Sequence, residues 1–457
     1  MPNVWWCAID KNNENATYEE LKQRNVVAQG WSALGDLSDL IGKSSEQIEA
    51  ELQRRSRALR NYDPPPPHIF SNLLSEMRPG DLVIGIEGTT VKGICKLSEE
   101  TRYRYDHGPA GEFEYAQCLY PVDWVDWSEV SADKSLTVPH RGVRGNARLI
   151  KDEATVISVW ERYKTDKLRM KKLAGIFDVL PQIIFHGPPG TGKTYEAKQL
   201  AAHLLGINGN PEGFGKARFS SDGKGRWDIV QFHPSYNYED FVRGIQSTVR
   251  DKNVEYQAVN RIFAQMCAAA AAKDSNQKYA LMIDEINRAN LAAVLGELLY
   301  ALEYRGEPVR TPYAVDGQGT LTVPKNLFII GTMNTADRSI GHLDYAVRRR
   351  FAFVECRPDA TVIQKFDSPA KDSAVKMFND VGQLFKPESN TLSSDYRPED
   401  VQVGHTYFLA KNENELRMKF VHQVLPLLRE YLADGVLVGN ADARIEQLKN
   451  QYVAKSV

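Results

Sequence analysis

The chain of 457 residues contains no apolar run of membrane-spanning length, so a helical membrane protein is not expected. Its five cysteines (Cys7, Cys95, Cys118, Cys267 and Cys356) are scattered, with no C-x-x-C pair to hold a metal. An odd number also argues against a disulfide framework and for a reducing compartment. Charge of one sign is not in excess either. Against 57 Lys and Arg stand 59 Asp and Glu, a formal net charge of −2. No global attraction to nucleic acid or to an anionic membrane follows, and any such surface has to be a local patch. The opening Met1-Pro-Asn-Val-Trp-Trp6 lacks a basic segment followed by an apolar core, so no secretory signal is read there. A cytoplasmic protein with no membrane partner is the expectation. Solenoid repeats, long low-complexity tracts and an Asp with Glu-x-Lys on adjacent strands, as a nuclease would need, are all missing.

What is present points to ordinary soluble domains with large cores. The chain is 42% hydrophobic and 25% charged, close to globular averages, and its length suggests about three domains. Patterning separates residues 1–130, rich in Trp, Tyr and short strand-like runs, from a polar linker and helical connector over 131–174. Residues 175–356 then alternate apolar strand runs with helical stretches. The strands are expected at Ile183–His186, Ile229–His233, Tyr279–Ile283, Leu327–Thr332 and Phe351–Glu355, which predicts a parallel sheet wrapped by helices. Residues 357–457 read as helical, with amphipathic periodicity in Leu416–Leu432 and Ala441–Tyr452. In the first region, Asp81–Ile86 and Val91–Leu97 read as two strands around a turn-like linker. Pro64–Pro67 reads as a stiff loop before a helix around Ile69–Met77.

The most specific stretch is Gly187-Pro188-Pro189-Gly190-Thr191-Gly192-Lys193-Thr194, set between a strand-like run and a helical one. Strand, glycine loop and helix in that order form a phosphate-binding loop, whose backbone N–H groups turn inward around phosphates at a helix N-terminus. Lys193 is placed to reach the β- and γ-phosphates, and the Thr194 hydroxyl to ligate Mg²⁺. A second signature follows at the end of Tyr279–Ile283. There Asp284 is expected to hold the magnesium hydration shell, and Glu285 to orient and polarise the attacking water. An acidic pair at a buried strand end is costly unless a cation neutralises it.

Asn334 falls just past the apolar strand Leu327–Ile330, where a neutral amide can hydrogen-bond the water or the γ-phosphate. Asp337 and Arg338 follow; they serve catalysis or pair with each other. Arg348, Arg349 and Arg350 end a short helical segment. Three arginines there either complement the helix dipole in solvent or act at a neighbouring subunit's γ-phosphate. Trp5, Trp6, Trp31, Trp124 and Trp127 crowd the first region with Tyr103, Tyr105 and Tyr120. They are either core, or walls of a pocket that stacks a base taken out of its helix. In the second case Trp6 and Trp31 lie near the pocket and Asp81 reads the base edge. The basic stretch Lys164–Lys172 is a solvated helix face or a phosphate contact, and stays unassigned.

From about 175 to 430 the chain resembles the McrB branch of the AAA+ superfamily. The resemblance is carried by the phosphate loop, Ile283-Asp-Glu-Ile-Asn-Arg-Ala-Asn290, Met333-Asn-Thr-Ala-Asp-Arg-Ser339 and Leu343-Asp-Tyr-Ala-Val-Arg-Arg-Arg-Phe351. Phe232–Phe241 and Gly404-His-Thr-Tyr-Phe408 also look like it. It implies an α/β AAA+ core with a C-terminal helical small domain, a hexameric ring, GTP rather than ATP with Mg²⁺, and a partner nuclease of the McrC type. Carried over by position, Lys193 and Thr194 bind phosphate and Mg²⁺, Asp284 and Glu285 form the acidic pair, and Asn334 orients water. Arg348 and Arg349 are then the inter-subunit arginines, with Arg350 third. Nothing in the loop selects GTP, since backbone N–H groups meet phosphates common to all nucleotides. With Trp5-Trp6-Cys-Ala-Ile9, the Gly30-Trp31 turn and the hairpin Gly80-Asp-Leu-Val-Ile-Gly85…Val91-Lys-Gly93, residues 1–127 look like an EVE or PUA-type α+β small barrel, similar to readers of modified bases, which implies double-stranded DNA carrying a modified base as the target. The competing readings are an AAA+ remodelling chaperone of the MoxR sort and a non-catalytic reader.

Overall fold

The computed structural model describes residues 2–9, 17–59, 70–87, 90–106, 115–130, 148–149, 153–207, 218–219, 225–250, 253–272, 277–336 and 344–453. The chain divides into two compact units, residues 1–167 and 168–457. Among the described residues no helix is long and apolar enough to cross a membrane. All five cysteines are buried free thiols, and burial pushes Cys7 and Cys267 up to about 12.

The first unit holds β1 (Val4–Ile9), β2 (Val27–Gln29), β3 (Leu82–Glu87), β4 (Thr90–Lys96), β5 (Arg102–Tyr105), β6 (Gln117–Tyr120), β7 (Val125–Asp126) and β8 (Arg148–Leu149). They form a five-stranded sheet in the order β7-β4-β3-β1-β8 and a three-stranded sheet β2-β6-β5. β1 and β3 run parallel, with Trp6 opposite Ile84. The two strands expected around residue 88 are β3 and β4, each displaced by about one residue. Strand alternation sends Trp5, Cys7 and Ile9 into a core shared with Val27, Ala28, Cys118 and Leu119 of the second sheet. Val4 and Trp6 enter a separate core with Leu82, Ile84, Ile94, Trp127 and Trp160. A strand buried on both faces reads as a continuous apolar run, as Val-Trp-Trp-Cys-Ala-Ile does.

Two residues assigned to a base pocket are therefore corrected. Trp6 is 7% exposed and packs in the core. Asp81, 4% exposed, accepts the Asn3 N–H on Oδ1 at 2.9 Å and, on Oδ2, the Trp5 Nε1–H at 2.9 Å and the Arg78 N–H at 3.1 Å. Both of its oxygens are spent tying the start of β1 to the turn before β3. Asp81→Ala should destabilise this unit by about 1–3 kcal/mol for each donor left bare. Trp5, Trp6, Trp31, Trp124, Trp127 and Trp160 lie here and only Trp227 in the other unit, so melting followed by tryptophan fluorescence reads the loss. An unchanged melt would restore a recognition role to Asp81. Trp31 differs from both. It is half-buried, edge-on to Phe70 at 5.7 Å, and holds a left-handed backbone at φ 64°, which a bulky residue rarely adopts. The Pro64–Pro67 loop lies outside the described residues.

The second unit is built on β9 (Gln182–Gly187), β10 (Trp227–Gln231), β11 (Arg243–Arg250), β12 (Asn253–Asn260), β13 (Tyr279–Asp284), β14 (Pro308–Val315), β15 (Gln318–Thr322), β16 (Leu327–Asn334) and β17 (Ala352–Glu355). The main sheet has the order β10-β13-β16-β9-β17, parallel throughout. All five expected strands are in it. Ile183, Phe185, Ala280, Met282 and Ile330 face one core with the helix Lys193–Leu205. Ile184, Leu281, Ile283 and Ile329 face the other, under the helix Ile262–Ala272. The helical region after β17 closes its own core around Phe378, Phe385, Phe408, Phe420 and Leu428.

Two hairpins, β11–β12 and β14–β15, were not expected. The second had a legible signal in Asp316-Gly317, both left-handed, the pair that favours a two-residue hairpin turn. Arg243, 3% exposed, joins the hairpins by donating to Asn260 Oδ1, Thr311 Oγ1 and the carbonyls of Tyr313, Gln318 and Thr320.

Candidate active site

Parallel strands deliver their C-terminal ends to one side of the sheet, and the predicted residues converge there. β9 runs into the loop Gly187–Gly192, and the helix Lys193–Leu205 starts at its end. Gly190 has φ +78°, and a Cβ on it would lie 2.4 Å from the Tyr407 ring, so both backbone and space demand glycine. The Lys193 ammonium, 7% exposed, donates to the carbonyls of Gly187 at 3.0 Å and Pro188 at 2.7 Å, folding over its own loop.

β13 ends at Asp284, whose Oδ1 accepts the Thr194 hydroxyl at 2.9 Å and the Thr332 hydroxyl at 2.5 Å. Thr332 was missed in the sequence, although it sits two residues before Asn334 on β16 and so shares its face. Glu285, just past the strand, is left-handed at φ 54°, a conformation that costs free energy in a non-glycine residue. Its carboxylate is held on both oxygens. The Asn334 amide donates to Oε1 at 2.5 Å and Arg288 Nε to Oε2 at 3.3 Å. Burial pushes the Glu285 carboxyl above the usual glutamate range, and the Arg288 guanidinium opposes that shift. Arg288 lay inside a motif noted in the sequence but was given no role there. Asn334 pairs in register with Gly187 and here holds the glutamate.

An oxygen-only set suits Mg²⁺, which keeps several waters and takes one or two protein ligands. The Thr194 hydroxyl and Asp284 carboxylate, in contact beside the loop, fit that requirement. No cluster of three or more His, Cys, Asp or Glu able to hold a metal occurs among the described residues.

The helical region supplies a wall to the loop. Gly404 N–H donates to Pro189 O and Thr406 N–H to Gly190 O, each at 2.9 Å. A Cβ on Gly404 would stand 2.1 Å from Gly190 C, so no side chain fits while the two segments touch. Gly404→Ala should force them apart, a strain of about 1–3 kcal/mol, and weaken nucleotide affinity by about tenfold. Titration with a fluorescent nucleotide measures it. Unaltered affinity would mean that the loop binds without this wall.

The arginines separate. Arg350 is 8% exposed, pairs with Glu303 at 2.7 Å and donates to Ala346 O. Its surroundings are those of an internal brace, which removes it as an inter-subunit candidate. Arg348 is exposed, with its guanidinium 5.5 Å from the Phe353 ring centroid. Arg349 is exposed and only 3.5 Å from Glu303. Both precede β17, which runs parallel to β9 with Ala352 opposite Ile183. Their backbones therefore sit toward the end of the sheet away from Gly187, while the Arg348 side chain runs along β17 over Phe353 and acts on the charge of His186, next to the loop. From Ile183 to Gly187 is four strand steps, roughly 13 Å at about 3.3 Å each, a gap that Arg349, turned to Glu303, does not span. Asp337 and Arg338 lie outside the described residues.

Residues 182–351 match the AAA domain of the dynein-related subfamily, and residues 390–436 match the McrB alpha-helical lid domain. Residues 5–138 match a domain of unknown function, DUF8426. The chain is 35% identical over 274 residues to the Type IV methyl-directed restriction enzyme EcoKMcrB subunit of Escherichia coli (strain K12), covering 55% of this chain and 54% of that protein. It is 26% identical over 298 residues to the Type II restriction enzyme BsuMI component YdiS of Bacillus subtilis (strain 168), covering 56% of this chain and 81% of that protein. The chain thus spans about half the length of the E. coli relative.

Proposed function

We propose, from the premise that this is an McrB-like AAA+ NTP hydrolase, that the chain is the motor and DNA-recognition subunit of a modification-dependent restriction complex. In this reading it works as a hexameric ring, uses GTP in preference to ATP, and acts with a separate McrC-like nuclease. The observation that carries the hydrolytic part is the meeting of Thr194, Asp284, Glu285 and Asn334 at the end of one parallel sheet. Thr194 and Asp284 would hold Mg²⁺, which supplies charge neutralisation at the phosphates. Glu285 accepts the proton of the attacking water. Asn334 keeps that carboxylate oriented by its hydrogen bond.

A ring is supported by Arg349, whose exposed side chain turns to Glu303 at the end of the sheet away from its own loop. Arg349 also lines an open hollow of about 820 Å³ with Val179, Tyr304 and Lys325, space in which a neighbour can dock. Modified-base reading by an EVE- or PUA-like first unit is supported by Trp31, the one member of the expected pocket that stands partly open, on a strained backbone. The E. coli relative's name, a methyl-directed restriction enzyme subunit, supports the target class.

Hydrolysis of GTP and ATP should be measured side by side, with plain or modified duplex DNA and with a candidate nuclease partner. GTP turnover stimulated by modified DNA and partner is the expected result. Strong ATP use with no DNA affinity would favour a MoxR-like remodelling ATPase. Modified DNA cut by the chain alone would refute the separate nuclease.

A further inference from the structure

His405 opens the short 3₁₀ turn His405–Phe408 beside the phosphate loop and is 7% exposed. Its Nδ1 accepts the main-chain N–H of Asp359 at 3.2 Å. A nitrogen that accepts carries no proton, so a neutral ring holds its hydrogen on Nε2. Burial lowers the His405 pKa from the usual histidine value, against the nearby Asp359 charge, which favours that neutral ring. Nε2 lies 3.7 Å from the position a Cβ on Gly192 would take, directly over the loop. Among the described residues this N–H meets no acceptor, since the bond from Asp359 accounts for His405's hydrogen bonding. Nε2 is not one of the unpartnered side-chain atoms sealed from solvent, so its N–H stays available, and the bound anion of the loop is an acceptor that would take the place of water.

We propose that His405 is a nucleotide-binding residue whose Nε2–H donates to a phosphate oxygen held by the loop Gly187–Thr194. The proposal rests on the reading of that loop as the triphosphate site. It gives the helical region a direct hand on the nucleotide. Gly404 and Thr406 fix the turn to Pro189 and Gly190, Asp359 fixes the tautomer, and His405 delivers an uncharged donor from outside the α/β core. Docking of the helical region and retention of the anion are then coupled through one side chain.

The test uses the amide isosteres of the two ring nitrogens in the full chain. Glutamine places its amide N–H near the position of Nε2 and gives up the Nδ1 acceptor; asparagine reproduces the Nδ1 acceptor and leaves the Nε2 position empty. Binding of fluorescently labelled GTP and ATP is titrated for wild type, His405→Gln and His405→Asn, with melting measured without nucleotide. His405→Asn should weaken binding by about 10- to 100-fold, the range for a hydrogen bond to a charged group, while His405→Gln stays close to wild type. Affinity unchanged in both variants, equal loss in both, or loss confined to His405→Gln would each overturn the proposal. If either variant fails to melt cooperatively, the other decides: glutamine must bind, or asparagine must not. Wild type that binds neither nucleotide would instead overturn the reading of the loop, a result distinct from failure at His405.

Discussion

Glu285→Gln is expected to lower turnover by about 10²–10⁴, the range lost with a positioned general base, while nucleotide stays bound. Glutamine keeps the length of the side chain and an oxygen for the Asn334 amide, which holds the carboxylate at 2.5 Å. It cannot take a proton from water. The left-handed backbone at residue 285 and its N–H bond to Thr332 Oγ1 at 3.2 Å do not depend on the side-chain charge, so the loop geometry should survive. Steady-state kcat read beside nucleotide affinity separates the two effects. Turnover that persists at the wild-type rate would remove Glu285 from the chemistry; affinity that collapses with turnover would make it a structural brace.

Replacing Arg348 and Arg349 together with alanine should cost about 10³–10⁵ in rate, the worth of an arginine stabilising transferred phosphoryl charge across a seam. Nucleotide affinity should change little, because each chain's own loop is untouched. Geometry makes the prediction specific. Arg349 stands at the end of the sheet opposite Gly187, whereas Arg348 reaches along β17 toward His186, so action on another copy rests first on Arg349. A mixing experiment tests this directly. The doubly substituted chain lacks the cations and a Lys193→Ala chain lacks the cradle, so each is inactive alone. Mixed, they should regain activity, because a seam can pair intact arginines with an intact loop. Silence in the mixture, with assembly verified, would exclude an arginine supplied in trans.

Arg350 belongs to neither experiment. Its pairing with Glu303 depends on a residue 47 positions earlier in the chain. Three adjacent arginines look alike as letters, and only the fold distinguishes one that is buried from two that are exposed. The tryptophans behave the same way. Trp5 and Trp6 are equivalent in sequence, yet strand alternation sends them to opposite cores.

The amino-acid order alone determined the phosphate loop, the acidic pair, Asn334 and the five parallel strands. These features depend on local spacing and on period-two alternation, which neighbouring residues impose on each other. Tertiary structure alone decided that Asp81 ties two strands together and that Gly404 and His405 lie over the loop. It also decided that Arg349 stands at the far end of the sheet from Gly187. Each of these contacts joins residues distant in the chain, so it is set by strand register and packing.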